Sequence, residues 1–456
     1  MRTVYCRMHV ELNRLYLASS GLMHGLSVLG SGRAHVLLVM GLMLLAVNAP
    51  GELVIQRIYT GQSTDELSCL TEGPDHNFYG TAELGGTGYG GYLFRLSHGG
   101  VFTKLVQWRV PPMGGLTLAQ DGNFYGTLSD GTIFRYPVNG PLQTIHSFDG
   151  APQYELVQGR DGFLYGVTGL SGSQPVVFRV STKGTFVALT NFPSSTVPCD
   201  SLVEGPDGWF YGVTKSTVVL HGDGKGSVFK VAPDGTWQTL ATFSVSQNGG
   251  QPLGGLTVGN EGFLYGTLSR GDNLFESTTN HGSIFKMTTN GLLTTVFSFD
   301  GTNGDSPRTR LVLGKEGALY GFAGHPFRLA TNGTLTTFPG QFTAYALDTG
   351  PPRLCLASDG NLYGTCDTNY SSTFAAIAFR LVEPAVPNVG ASADRKALLS
   401  WGSFTGGTYQ VSYKSSPNDM DWHNLGSPVV ATGTNTSFSD PIGTNIARCY
   451  RITILP

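Results

Sequence analysis

The stretch "LTLAQDGNFYGTL", Leu116 to Leu128, reads as a strand, a tight turn on Asp121-Gly122, and a second strand. Asp-Gly between apolar-rich runs is a hairpin signal, and a two-residue type I′ turn is the expected connection. Aligned on Tyr-Gly, the same arrangement occurs seven times, at Tyr79, Tyr125, Tyr165, Tyr211, Tyr265, Tyr320 and Tyr363. Successive copies lie 46, 40, 46, 54, 55 and 43 residues apart. A leucine stands nine residues before each tyrosine (Leu70, Leu116, Leu156, Leu202, Leu256, Leu311, Leu354). An acid stands four residues before it (Asp75, Asp121, Asp161, Asp207, Glu261, Glu316, Asp359), followed by glycine in six copies and by His76 in the first. Self-similarity at such a period marks a repeat architecture.

Each copy continues with a second recurring element: "YLFRL", "TIFRY", "VVFRV", "SVFKV", "SIFKM", "HPFRL" and "IAFRL". The central phenylalanine is always followed by Arg or Lys, and period-2 alternation predicts a buried ring beside a solvent-facing cation. A fourth strand closes most copies, as in "TWQTLATF". Four short antiparallel strands per repeat is the pattern of a propeller blade. The array begins near Leu53 with a lone fourth-type strand, "LVIQRIY", and ends at "IAFRLV", which lacks one. One end supplies what the other is missing, and such a closure leaves no exposed sheet edge. The expected fold class is therefore all-β: a seven-bladed β-propeller over 53–382, closed by the N-terminal strand.

Glycine is abundant at 64 residues and charged residues are scarce at 13%, which suits short strands joined by tight turns. The net charge of −3 provides no whole-molecule attraction to nucleic acid. Before the array, "VLLVMGLMLLAV" (Val36 to Val47) follows Arg33 and His35 and precedes small residues, so 1–49 is expected to be a signal peptide or a membrane-anchor leader. Membrane association is expected only if that leader is retained, and Met23 is an alternative start to Met1. After the array, 383–394 is a Pro- and Ala-containing linker. Residues 395–456 alternate like a small fibronectin- or immunoglobulin-like β-sandwich, with Trp401, Tyr409, Tyr413, Trp422 and Tyr450 read as core. Six cysteines show no CxxC pair. Cys355 and Cys366 either pair across neighbouring strands or remain buried thiols.

The repeated "GSVFK", "GSIFK" and "GTIFR" motifs, coupled to "DGxLYGT", resemble the bacterial extracellular GloVer tandem-repeat family over about 53–382. The resemblance implies an exported or surface-displayed repeat protein, and it carries over no catalytic residue.

Chemistry is sparse in the motifs. One acid per turn does not make a calcium loop, and the glycines lack the phosphate-cradling arrangement, so no metal and no cofactor is expected. The recurring acids are read as turn-formers. His146, His221, His281 and His325 occur singly. Loops leading into the first strand of each blade form one rim of a propeller channel, and there Glu155, Arg308, Arg310 and Arg353 are the candidate binding residues. Such a mixed rim can hold a polar ligand or satisfy itself across the channel. Two long polar loops, Lys215 to Gly226 and Leu268 to Gly282, are further binding candidates. The preferred expectation is a noncatalytic, secreted or cell-surface binding scaffold, monomeric, recognising a glycan or a protein. The alternative is a secreted polysaccharide hydrolase or lyase with its site at the channel rim.

Overall fold

A computed structural model describes residues 54–455 outside 62–64, 69, 84–89, 139, 151, 170–173, 194–195, 217–225, 244–250, 270–280, 338–352, 371–372, 383–387, 392–395, 404–407, 416–420, 433–434 and 442–448. The leader, most of the linker and most of the two long polar loops lie outside the described residues; Asn388–Ala391, within the expected linker, is instead a strand. Every described element is a strand. Residues Glu52–Glu383 form one compact unit, and the strands from Asn388 onward belong to a second.

The first unit consists of seven successive antiparallel sheets. The first sheet runs Thr71–Glu72, Phe78–Ala82, Tyr92–Leu96 and Phe102–Gln107 in spatial order. The second to sixth sheets repeat this meander; the fourth adds Thr196–Pro198 against Phe210–Ser216. The seventh is assembled from both ends of the unit. Arg353–Leu356, Leu362–Tyr370 and Thr373–Val382 are joined by Val54–Thr60, which pairs antiparallel with Thr373–Val382.

One packing unit explains the three invariant apolar positions. In the fourth sheet Gly212 pairs with Phe229, and a Cβ on Gly212 would come within 2.5 Å of the Phe229 ring and 3.0 Å of Leu202 Cδ2. The leucine and the phenylalanine therefore meet over a residue that must have no side chain. Leu202 and Phe229 are both about 1% exposed, so the cluster is fully dry. The same leucine–glycine–phenylalanine contact recurs in the second, third, fifth, sixth and seventh sheets.

The hairpin differs from the expected type I′ turn. Gly208 N–H donates to Gly205 O, and Gly205 N–H donates to Trp209 O. Only Gly208 of the Asp-Gly pair is left-handed, at φ 79°, so this is a type I turn followed by a glycine bulge. The reason lies in the acid. Asp207 Oδ1 accepts the N–H of Trp209 at 3.3 Å while Oδ2 accepts the Tyr211 hydroxyl at 2.7 Å. The carboxylate thus ties the turn to the strand that follows it, a second role beyond turn formation. Tyr79, Tyr125, Tyr165 and Tyr363 make the same bond to Asp75, Asp121, Asp161 and Asp359, and Tyr320 makes it to Glu316. In the first copy His76 takes the left-handed position, at φ 60°.

One further expectation needs adjustment, and one open alternative is decided. The cation after phenylalanine is not uniformly solvated, since Arg380 is only 3% exposed and others lie over aromatic rings, as Lys230 does over Trp209 at 4.6 Å. Cys355 stands opposite Tyr363 and Cys366 opposite Ile377, and no disulfide joins them.

Sheets contact their neighbours through a recurring device. The outer hairpin of one sheet lays a glycine against a backbone carbonyl of the preceding sheet's outer strand: Gly184 on Ile145, Gly235 on Leu189 and Gly291 on Leu240. Gly100 of the first sheet makes the same approach to Ile58, which belongs to the seventh. The first and seventh sheets are also joined by a shared apolar cluster that includes Phe78, Phe94, Tyr363 and Ala378.

The C-terminal unit has two small antiparallel sheets: Asn388–Ala391, Lys396–Gly402 and Asn435–Pro441 in one, and Thr408–Lys414 with three partners in the other. Leu399, Trp401, Tyr409 and Val411 form its core, with Tyr450 packed against it. Trp422 is not core. It is partly exposed, and Lys414 and Arg451 lie 5.2 and 4.7 Å from its ring.

Candidate functional site

The residue immediately before each invariant leucine changes its chemistry along the array. It is Glu155 in the third sheet's approach, Ser201 in the fourth, Gly255 in the fifth, Arg310 in the sixth and Arg353 in the seventh. The structure brings several of these together. Arg310 Nη1 donates to Glu155 Oε1 at 3.3 Å, and Arg310 Nη2 donates to Ser201 O at 2.9 Å and Ser201 Oγ at 2.6 Å. Nη2 also lies 3.4 Å from Asp200 Oδ1. One guanidinium therefore links three repeats that are 109 to 155 residues apart in sequence.

Asp200 is the anchor of this cluster. Its Oδ1 accepts the Ser201 N–H at 2.7 Å and its Oδ2 accepts the Gly255 N–H at 2.9 Å. Burial works to raise its pKa, but the charges of Arg310 and Arg353 and the two backbone donors outweigh burial and hold the carboxyl below the ordinary aspartate value. Gly255 has no room for a side chain, because a Cβ would lie 2.6 Å from Asp200 Oδ2 and 2.8 Å from Arg310 Nε. The fifth sheet contributes a backbone donor where its neighbours contribute side chains.

Arg353, on the first strand of the seventh sheet, acts on the same cluster by its charge. It opposes the upward push that burial gives Glu83, which nonetheless stays above the ordinary glutamate value. Beside Asp200, the Cys199 thiol is pushed up to about 12, mainly by burial, and so stays protonated near neutrality. Tyr154 donates its hydroxyl to Pro198 O at 3.2 Å, and burial raises its pKa. Arg308 stands two residues before Arg310, and its Nε is shielded from solvent with no hydrogen-bond partner among the described residues.

Of the four candidates read from the sequence, Glu155 and Arg310 are thus in direct contact, and Arg353 is coupled to the same group. Asp200 and Ser201 were not singled out beforehand, although Ser201 occupies the same pre-leucine position as Glu155, Arg310 and Arg353, and Asp200 precedes it. That positional equivalence was the available signal. Among the histidines read singly, His146 stacks on Phe186 at 4.7 Å, and His281 Nδ1 lies 3.2 Å from Asp305 Oδ1. His221 lies outside the described residues, and His325 is half-buried at the start of its strand.

Repeated four-stranded antiparallel sheets with charged side chains converging from their inner approaches define an all-β repeat protein, and its neighbours among solved structures are propeller-like. Residues 112–335 match the Gloeobacter/Verrucomicrobia repeat. A puromycin-hydrolyzing peptidase of Mycobacterium tuberculosis aligns at TM-score 0.51 and 13% identity, over 78% of this chain and 61% of that one. The WD40 β-propeller domain of Doa1 aligns at TM-score 0.47 and 12% identity, over 72% and 97%. A luciferin-regenerating enzyme aligns at 0.39 and 12%, over 59% and 91%. At these identities the likeness concerns the fold alone. A comparison with curated proteins returns no match.

Proposed function

We propose that the seven sheets are the blades of a closed seven-bladed β-propeller, followed by a small β-sandwich, and that the protein is an exported, noncatalytic binding scaffold. The cyclic reading is supported by the approach of Gly100 to Ile58, which repeats between the first and seventh sheets the contact seen between consecutive ones. It is supported again by Arg310, whose reach to the third and fourth sheets is natural across the centre of a ring. The sandwich reading rests on two sheets sharing one apolar cluster. Export rests on the apolar run from Val36 to Val47.

The single observation that carries the binding reading is the occupation of the central carboxylates by Arg310. A glycoside hydrolase needs one carboxyl group ready to give up a proton and another free to act as base or nucleophile. Here Glu155 and Asp200 share one guanidinium, and Asp200 is held in its ionised form. The cluster is therefore a brace, and recognition falls to the groups around it. Arg308 and Arg353 suit a ligand with acidic or hydrogen-bond-accepting groups, such as a glycan or a protein surface.

The test is a glycan and protein array probed with the exported chain, followed by titration of any hit. Saturable binding that weakens at least tenfold in an Arg308→Ala/Arg353→Ala double variant is the expected result. No saturable binding, or binding indifferent to both arginines, would overturn this placement.

A further inference from the structure

The contact between the first and seventh sheets contains a group that the corresponding contacts lack. At two other junctions the cassette tyrosine of one sheet meets a threonine of the next: the Tyr211 hydroxyl lies 3.4 Å from Thr289 O, and Tyr125 interacts with Thr182. The equivalent of that threonine in the first sheet is His98, whose Nδ1 lies 3.1 Å from the Tyr363 hydroxyl.

The direction of the hydrogen bonds fixes the proton on the ring. Tyr363 donates to Asp359 Oδ2 at 2.7 Å, so its oxygen accepts from His98 Nδ1–H. In a neutral imidazole that leaves Nε2 with a lone pair. Nε2 is shielded from solvent and has no hydrogen-bond partner among the described residues, yet it faces Glu72 Oε1 at 3.8 Å. A lone pair aimed at a carboxylate is repelled, whereas an N–H there is attracted.

The surrounding charges can be named element by element. From the first sheet come Glu72 and, in its turn, His76, whose Nδ1 is 3.4 Å from Glu72 Oε1. From the seventh come Asp359, 3.7 Å from His98 Nδ1, Tyr363, and Arg380, whose guanidinium lies 6.0 Å from the Tyr363 ring. Lys315 of the sixth sheet reaches Ser358 O at 3.1 Å. Ser358 Oγ in turn donates to Glu72 Oε1 at 2.6 Å. The two carboxylates lie within 4 Å of the imidazole, and Phe78 covers its face at a centroid distance of 4.7 Å.

We propose that His98 is a proton latch: the seam between the two ends of the repeat array takes up a proton at Nε2 and is held more tightly by the imidazolium than by the neutral ring. The latch contribution is present while the imidazole carries its second proton and is lost when Nε2 gives that proton up. The acid limit is set by the carboxylates. Burial acts to raise Glu72 and Asp359, but hydrogen bonds from Ser358 and His76 to the first, from Asn361 and Tyr363 to the second, and the nearby His98 hold both below their ordinary values. Their contribution is lost only as pH falls through the lower carboxylate range. The seam is tightest in the mildly acidic interval between the two.

The experiment is amide hydrogen exchange on the full chain at pH 5.5 and 8, corrected for intrinsic exchange, with the third sheet as internal reference. Protection of Tyr92–Leu96 and Phe102–Gln107 is expected to fall about fivefold relative to the third sheet on going to pH 8. In His98→Thr, which restores the side chain used elsewhere, that relative change is expected to vanish, while His76→Gly should keep it. Parallel pH responses in the wild type and His98→Thr would overturn the latch, as would loss of the response in His76→Gly alone. Should His98→Thr not fold, ring nitrogen shifts of His98 in the intact protein decide the matter. Protonation of Nε2 in step with seam protection supports the latch, and a ring that keeps Nε2 bare from pH 8 to 5.5 overturns it.

Discussion

The cassette and the centre are built on the same frame but obey opposite rules. In the cassette one set of partners recurs: the acid to a turn N–H in the five aspartate copies, the tyrosine hydroxyl to the same acid, and leucine and phenylalanine over one glycine in six sheets. At the pre-leucine position the third to sixth copies differ, and Glu155, Ser201, Gly255 and Arg310 make one network by contributing different groups. Repetition thus specifies the sheet. Irregularity at one column of the repeat specifies what the sheets surround.

The sharpest way to break this contrast is at Arg310, whose guanidinium joins Glu155, Asp200 and Ser201. Arg310→Ala leaves Asp200 shielded without its nearest cation and should cost about 3 kcal/mol in denaturant unfolding of the full chain. An effect below 1 kcal/mol would mean that the centre is not a brace. Next comes Gly255→Ala, whose added methyl meets both Asp200 and Arg310. A loss of about 2 kcal/mol is expected, much of it absent in an Arg310→Ala background because both changes disrupt one network.

Within the cassette a single copy should matter less. Asp207→Ala removes both the turn bond and the tyrosine partner, for a loss of about 2 kcal/mol, whereas Tyr211→Phe removes only the latter and should lose about 1 kcal/mol. Equal losses would show that the tyrosine bond is idle. The smallest effect per group is the pH response. Asp75, Asp121, Asp200 and Asp359 all have folded-state pKa values below ordinary, so the stability they contribute is present above the aspartate range and disappears as pH falls through those lowered values. Thermal unfolding midpoints should therefore decline below about pH 4. Asp200→Asn should flatten that acid limb more than Asp75→Asn does, since two arginines act on Asp200.

The cassette was legible because its determinants are local. Leu202, Asp207, Tyr211 and Gly212 lie within eleven residues, and periodicity places each on a face. The lone N-terminal strand was legible too, since the array is one strand short at its other end. The turn type was misread because Asp-Gly in isolation suits a left-handed pair, while the hydroxyl of a tyrosine four residues on holds the aspartate in another conformation. Trp422 was misplaced because an aromatic residue in an alternating segment reads as core, and nothing local indicates that Lys414 and Arg451 sit beside it. The centre was half legible. Charge and position pointed to Glu155 and Arg310, but Asp200 precedes its leucine by two residues, at a position filled elsewhere by Gly114, Tyr154 and Thr309, and no pattern distinguishes it. Which carboxylate an arginine reaches across more than a hundred residues is decided by how the sheets assemble, which local sequence does not record.

The glycines that four outer hairpins lay on the preceding sheet, Gly100, Gly184, Gly235 and Gly291, all point the same way round and give the array a direction, as overlapping roof tiles have. At those joints one repeat presents a bare patch and its neighbour a carbonyl, so each such joint is made of halves from two different repeats. Removing one whole repeat would leave a matching patch and carbonyl to meet. A deletion of the same length cut out of phase would leave two patches or two carbonyls, so such an array can change its number of repeats only in whole units.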